Sequence, residues 1–425
     1  MKHLKLFFAL AFLAMAIISC NKNLTPEQEL LATEEMSKNM PAVSLSDKEL
    51  LGKQLFFDKI SNPDWVSCAS CHAPDHGWAG PNPGINQGGG VYRGAVPQRF
   101  GNRRPQPVSY ASYSPILYYD HEEDYFVGGN FWDGRATGEQ YGSPIEDQAG
   151  GPFLNLVEQN NHGMAAVLEQ VAKSKYLYLW QKVWGEPLSF ASEADINLNY
   201  ERVARAIAAY ESSPEVNAFT SKFDYYLKGE AQMTALELEG LELFRGKSGC
   251  NYCHVSEPDP VHNVILFTNY TYHNMGVPKN PENPFYKMDR IFLENGDPIN
   301  PEGENWIDKG IGDFLKDHNN PEFSSRANDH MGKFKVPSIR NVAKKPGNGT
   351  PKSYMHNGVF KTLEEVVHFY NTRDVSAKWA PPEYPFNINT AESGDQQLTP
   401  AEEKAIVAFL HTLSDGYIPS KGKIK

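Results

Sequence analysis

Two stretches of the chain end in the same pattern, and that pattern constrains the fold more than any other feature. Cys68, Cys71 and His72 close "CASCH", and Cys250, Cys253 and His254 close "CNYCH". C-x-x-C-H is the covalent attachment signal for c-type haem. Two thioethers fix the porphyrin edge and the adjacent imidazole drops onto the iron, so a chain bearing the pattern must wrap the group. The competing reading is a zinc site of four cysteines, which leaves the histidine after each pair without a purpose. Two covalently bound haem c groups follow, with His72 and His254 as iron ligands.

The compartment agrees. Lys2 and Lys5 precede an apolar run from Leu6 to Ile18, too short for a membrane span and of the length of a secretory signal over residues 1–19. Ser19-Cys20 resembles a bacterial lipoprotein cleavage site, which predicts a lipid anchor on Cys20 and a tether over 20–44. The expected location is the cell envelope, facing the periplasm. Losing Lys2 and Lys5 with the signal takes the formal charge from −12 to −14. An acidic chain argues against nucleic acid and suits a cationic protein partner. Of five cysteines, one takes lipid and four take haem, which leaves none for a disulfide.

The haem motifs sit in a longer repeat. "LSDKELLGKQLFFDKISNPDWVSCASCH" and "MTALELEGLELFRGKSGCNYCH" each open with a capping box, Ser46 with Glu49 and Thr234 with Glu237, and continue through helically spaced apolar residues to Leu-Phe. Two related domains are expected, 45–232 and 233–425. Apolar stripes predict further helices over 164–185, over "NYERVARAIAAYESS" and over "LTPAEEKAIVAFLHTLSDG", the last capped by Thr399 with Pro400 at its first position. Pro/Gly/Asn-rich stretches at 81–115 and 278–335 read as loops. The fold class is mainly α: two cytochrome c-like haem domains with long loops and little strand.

The second ligand of the first iron is the next question. His76 lies four residues beyond His72, a reach of at most about 14 Å from a chain already pinned at Cys71. That path is too short to pass the porphyrin edge, so His76 is expected to line the pocket or bond a loop. The glycines that follow, including Gly84, Gly88 and Gly89, suggest a flexible loop near the open face.

With "NFWDGRA" (130–136), "IEDQAGGP" (145–152), "FKVPSIRNV" (334–342) and "YMHNGVFKTLEEVVHFY" (354–370) added to the repeat, the chain resembles the bacterial dihaem cytochrome c peroxidase and MauG family from about residue 45 to 415. The resemblance implies a peroxidatic N-terminal haem and an electron-transfer C-terminal haem. It implies that Glu146 acts as a proton shuttle in the peroxide pocket. Asn130 stands where a glutamine usually precedes Phe-Trp-Asp-Gly-Arg. Arg135 and His356 are candidate partners of haem propionates, Arg135 otherwise holding the local fold with Trp132. Typical members carry a removable histidine about sixteen residues beyond the first haem histidine. Gly88 holds that position here, which implies an open iron; His121 on a long loop is the alternative. The second haem usually takes a methionine fourteen residues beyond His356, where this chain has Tyr370; Met275, Met331 and Met355 compete with it for the iron. A calcium ion before the Tyr354–His356 segment belongs to the resemblance, as do an inter-haem aromatic, with Tyr110 and Tyr113 in the matching region, and a homodimer.

The implied function is reduction of hydrogen peroxide to water with electrons from a small cytochrome c or cupredoxin. Two alternatives stand beside it: a MauG-like peroxide-dependent oxidase that modifies a partner protein, and a non-enzymatic dihaem electron carrier.

Overall fold

The computed structural model describes residues 44–347 and 349–419. The signal, the lipidation site at Cys20 and the tether up to residue 43 lie outside the described residues. Among the described residues, eight helices have eight residues or more: α1 (Asp47–Phe57), α2 (Pro144–Leu154), α3 (Met164–Ala172), α4 (Leu177–Trp184), α5 (Glu193–Glu211), α6 (Ala235–Arg245), α7 (Leu363–Thr372) and α8 (Pro400–His411). Strand among the described residues is confined to two short antiparallel pairs, β1 (Tyr118–Asp120) with β2 (Tyr125–Val127) and β3 (Tyr272–His273) with β4 (Phe334–Lys335). The fold is mainly α with little strand.

Helix starts follow the sequence closely. The capping boxes at Ser46/Glu49, Thr234/Glu237 and Thr399/Glu402 all form, each hydroxyl accepting the third N–H while the carboxylate accepts the cap N–H. The expected helix over 164–185 is instead two. The chain turns through Lys173–Tyr176, and the Tyr176 hydroxyl donates to Asp58 at 2.6 Å, a contact that a continuous helix would carry away.

Each half is built on one crossing of helices. α1 packs on α5, and α6 packs on α8. At each crossing a glycine admits the partner's backbone. A Cβ at Gly52 would stand 1.8 Å from the Ala206 carbonyl oxygen, and one at Gly240 would stand 1.9 Å from that of Ala405. No side chain fits either place. The apolar faces then close two cores, one around Leu55, Phe56, Trp180 and Ile207, the other around Phe244, Phe267, Phe369 and Phe409.

Two buried ionic clusters tie the long loops down. Arg103 binds Asp308 through Nε and Nη2 at 2.6 and 2.7 Å and Asp133 at 2.6 Å. Burial alone would raise the Asp133 carboxyl, yet Arg103 and Arg135 hold it down at about 2. Arg340 forks onto both Asp224 oxygens at 2.9 and 3.0 Å. The loop after His76 is not a flexible cover. Gly89 lies so close to the Glu282 carbonyl that a Cβ would come within 2.5 Å, and Asn86 donates to the Pro351 carbonyl at 3.2 Å, so the loop is packed onto the second half.

Candidate haem sites

The segment Cys68–Ser70 is a tight turn. Cys71 and His72 both donate their N–H to the Cys68 carbonyl, at 3.1 and 3.0 Å, and this winding turns both thiols and the imidazole into one cavity of about 1250 Å³ open to solvent. The second motif repeats the geometry: Cys250, Cys253 and His254 face a cavity of about 1270 Å³.

The histidines are held alike. His72 Nδ1 stands 3.3 Å from the Trp78 carbonyl oxygen, and the Gln106 carbonyl also faces it. His254 Nδ1 stands 3.0 Å from the Phe267 carbonyl oxygen, with the Pro337 carbonyl facing it as well. A ring tied at Nδ1 keeps Nε2 free for a metal. Burial lowers His72 to about 4 and His254 in the same direction, against the pull of those carbonyls, so both rings are neutral and able to ligate. All four cysteines are free thiols, raised by burial, Cys71 and Cys253 to about 12. Two thiols and one oriented imidazole per cavity fit covalent haem.

Arg104 adds a feature that the sequence reading does not contain. Its side chain lines both cavities, donates from Nε to the Met355 carbonyl at 3.1 Å and has no carboxylate partner among the described residues; burial lowers it to about 10. A buried guanidinium without a counter-charge suits a haem propionate. Trp132 also lines both cavities and is pinned by Nε1–H donation to the Arg104 carbonyl at 2.9 Å. Tyr110 and Tyr113 line neither. Tyr110 donates its hydroxyl to Asp415 at 2.7 Å, and Trp132 is the aromatic between the sites.

The first cavity is the more polar of the two. Asn130, Gln106, Gln148 and Gln159 bring amides, and Glu158 and Glu211 bring carboxyls. Among the described residues, Gln148 Oε1, Gln159 Oε1 and Glu211 Oε2 are buried without a hydrogen-bond partner. Burial pushes Glu211 up to about 8, so it is a protonated acid at neutral pH. Glu146 is not a lining residue. Its carboxylate lies 4.0 Å from Arg205, because the face of α2 that packs on α5 carries it away from the cavity and presents Gln148 instead. Arg135 sits at the rim, stacked 3.8 Å over Phe131 and bonded to Asp133 at 2.9 Å, so its charge is already committed. His76 bonds Asp75 at 2.7 Å, Gly88 follows a short helix away from the cavity, and His121 is exposed beside Glu322. None of these three lines the first cavity.

The second cavity is walled by hydrocarbon and soft ligands. Tyr370, Met275, Met355 and His356 all reach it; Met331 does not, and packs instead near Ile311 and Phe323. The Tyr370 hydroxyl points at Met355 Sδ, 3.9 Å away, and burial raises the phenol. His356 is stacked on Phe334 at 3.6 Å, its Nε2 unpartnered among the described residues, and burial lowers it to about 3. Sequence reasoning also passes over His273, which lines this cavity with both ring nitrogens bonded, to Thr271 and Asn389. Near the expected calcium position, the Pro351 carbonyl accepts from Asn86, and the Lys352 ammonium donates to the carbonyls of His76, Asn341 and Lys344 at 3.0–3.1 Å. No cluster of three or more His, Cys, Asp or Glu side chains suited to a metal occurs among the described residues.

Known proteins share this arrangement. The family model for di-haem cytochrome c peroxidase matches residues 46–232. The chain is 32% identical to the methylamine utilization protein MauG of Paracoccus denitrificans, over 86% of this chain and 88% of that one. It is 29% identical to the cytochrome-c peroxidase IdrP2 of Pseudomonas sp. (strain SCT), over 86% and 80%. The crystal structure of the diheme peroxidase BthA from Burkholderia thailandensis superposes with a TM-score of 0.71 at 28% identity, covering 89% of this chain and 88% of that one. With two cavities fitted for two c-type haems, the chain belongs to the di-haem cytochrome c peroxidase family and, like its members, is an oxidoreductase.

Proposed function

We propose that this protein reduces hydrogen peroxide to water at the first cavity, with electrons that a small cytochrome c or cupredoxin delivers through the second. The observation that carries the reading is the contrast between two haem-fitted cavities that share Arg104 and Trp132. Bound haem supplies peroxide reduction at the first iron and electron transfer at the second. The chain does the rest. His72 and His254 hold Nε2 on the metal; Asn130 offers an amide to the oxygen ligand; Gln106 and Gln148 orient it; Glu211 holds a proton inside the cavity; Arg104 holds negative charge between the sites. Tyr370 is proposed as the second ligand of the His254 iron, with Met355 and Met275 as rivals. Glu146, on the α5 side of α2, is proposed to act through Arg205.

Relation to a methylamine utilization protein, together with Tyr370 in the second cavity, favours one further reading, a peroxide-dependent oxidase that acts on a partner protein. Steady-state peroxide turnover with a reduced cytochrome c separates the two: turnover supports the peroxidase, and its absence in a protein that still consumes peroxide supports the oxidase. Low-spin ferric spectra at both haems, unaltered by cyanide, would sink both.

The proposed setting is a periplasm-facing lipoprotein anchored at Cys20, dimeric, with domains at 45–232 and 233–425 and a calcium ion near residues 351–353. Lipid labelling that disappears in Cys20→Ala, sedimentation of the soluble portion and metal analysis check these points in turn.

A further inference from the structure

Lys335 comes from the second half of the chain, where it ends β4 and lines the second cavity. Its ammonium is committed to the first half. Nζ donates to Ser114 Oγ at 2.7 Å, to the Gly129 carbonyl and to Asn130 Oδ1 at 2.9 Å. Those three bonds use all three donors of an ammonium. The residue is buried and no carboxylate among the described residues offsets it; burial lowers it to about 7. A methionine would fill such a place at less cost to stability, so the charge answers some other need.

A second observation adjoins the first. A void of about 20 Å³, roughly the room that one water needs, is lined by Gln106, Ser109, Asn130, Tyr270 and Lys335. The Ser109 and Tyr270 hydroxyls are buried there with no partner among the described residues.

The physical consequence falls on Asn130. A cation on Oδ1 fixes which end of the amide is which, and draws electron density from the nitrogen so that its N–H groups donate more strongly. One N–H reaches the Ala111 carbonyl at 3.3 Å, and the other is left for the first cavity, which Asn130 lines.

We propose that Lys335, with one water bound between the Ser109 and Tyr270 hydroxyls, is a positioning residue that locks the Asn130 amide with an N–H toward the first cavity. The inference rests on the reading of that cavity as the peroxide site.

The test uses the full holoprotein and fluoride, a small anion that a distal N–H stabilises on ferric haem. Lys335→Met and Asn130→Ala are each expected to weaken fluoride binding about tenfold, and the double variant no further, because both remove one interaction. Losses that add, or an unchanged Lys335→Met, overturn the proposal. Crystal structures give a readout independent of haem chemistry. The wild type is expected to show the water on Ser109 and Tyr270, and Lys335→Met a rotated Asn130 amide; a dry void or an unmoved amide overturns it. If Lys335→Met does not fold, Lys335→Gln carries the same comparisons. A wild type without peroxide turnover but with coupled fluoride losses would sink the peroxidase reading and leave this one standing.

Discussion

The two cavities are built on one plan and finished differently. Both take a C-x-x-C-H turn, a histidine tied at Nδ1 to a backbone carbonyl, and a pair of helices crossed at a glycine. Beyond that frame they diverge. The first is lined by amides and carboxyls and, among the described residues, holds no methionine and no second histidine. The second is lined by Leu, Val and Ile together with two phenols, two thioethers and two further imidazoles. The shared frame positions the metal group, and the difference assigns the work. Polar donors and an unshared acid suit a small oxygen ligand, whereas an apolar wall with soft side chains suits a closed electron-transfer centre.

The largest effects should fall on what the halves have in common. Gly52→Ala and Gly240→Ala each push a methyl group into a carbonyl of the partner helix, and each should lose about 3 kcal/mol of stability, the upper end for an overpacked site. Urea unfolding followed at each haem band checks whether each variant damages its own half first; identical damage to both haems by either variant would show that the halves do not unfold separately.

Next comes the joint between the halves. Asp133 has its carboxyl lowered from 3.8 to about 2 in the folded protein. A lowered acid adds stability above its unfolded pKa, and that stability is lost as pH falls through about 4 to about 2, roughly 2 kcal/mol for this shift. Stability of wild type and Asp133→Asn should therefore converge with acid in that window. A constant gap from pH 5 to 2 would show that Asp133 is not held by Arg103 and Arg135.

A smaller, local change tests the finish of the second cavity. Tyr370→Phe should alter the spectrum and potential of one haem only and leave cyanide binding at the first unchanged; no spectral change would hand the ligand position to Met355 or Met275. Smallest of all, Glu146→Gln should change kcat/KM less than about threefold, because its carboxylate lies outside the first cavity and its contact with Arg205 is a loose, partly exposed one at 4.0 Å. A hundredfold loss would put the carboxylate in the first cavity after all.

The haem turns and helix starts are legible in the sequence because their determinants are local. A thiol pair, its histidine and a cap with its glutamate all lie within five residues. Glu146 is misplaced by sequence reasoning for the opposite reason. Which face of α2 turns inward is set by α5, far along the chain, and a shift of two residues exchanges a carboxylate for Gln148. Arg104 and Gln106 escape notice because they lie in a proline-rich stretch with no periodicity. One signal could have found them: a proline-containing stretch in each half supplies a carbonyl to its own haem histidine, Gln106 to His72 and Pro337 to His254.

Trp132, pinned by its indole N–H, makes the partition between the cavities one side chain thick. Metal groups held in the two cavities would feel each other's charge across it, through a medium of low dielectric constant. Removing an electron from either one makes the next removal harder, so a potentiometric titration of the loaded protein yields two midpoints that describe the pair, and neither belongs to a single iron. Should the two midpoints separate on loading, the size of the split would report how strongly the centres are coupled across that single side chain, and a change at Trp132 would be expected to alter it.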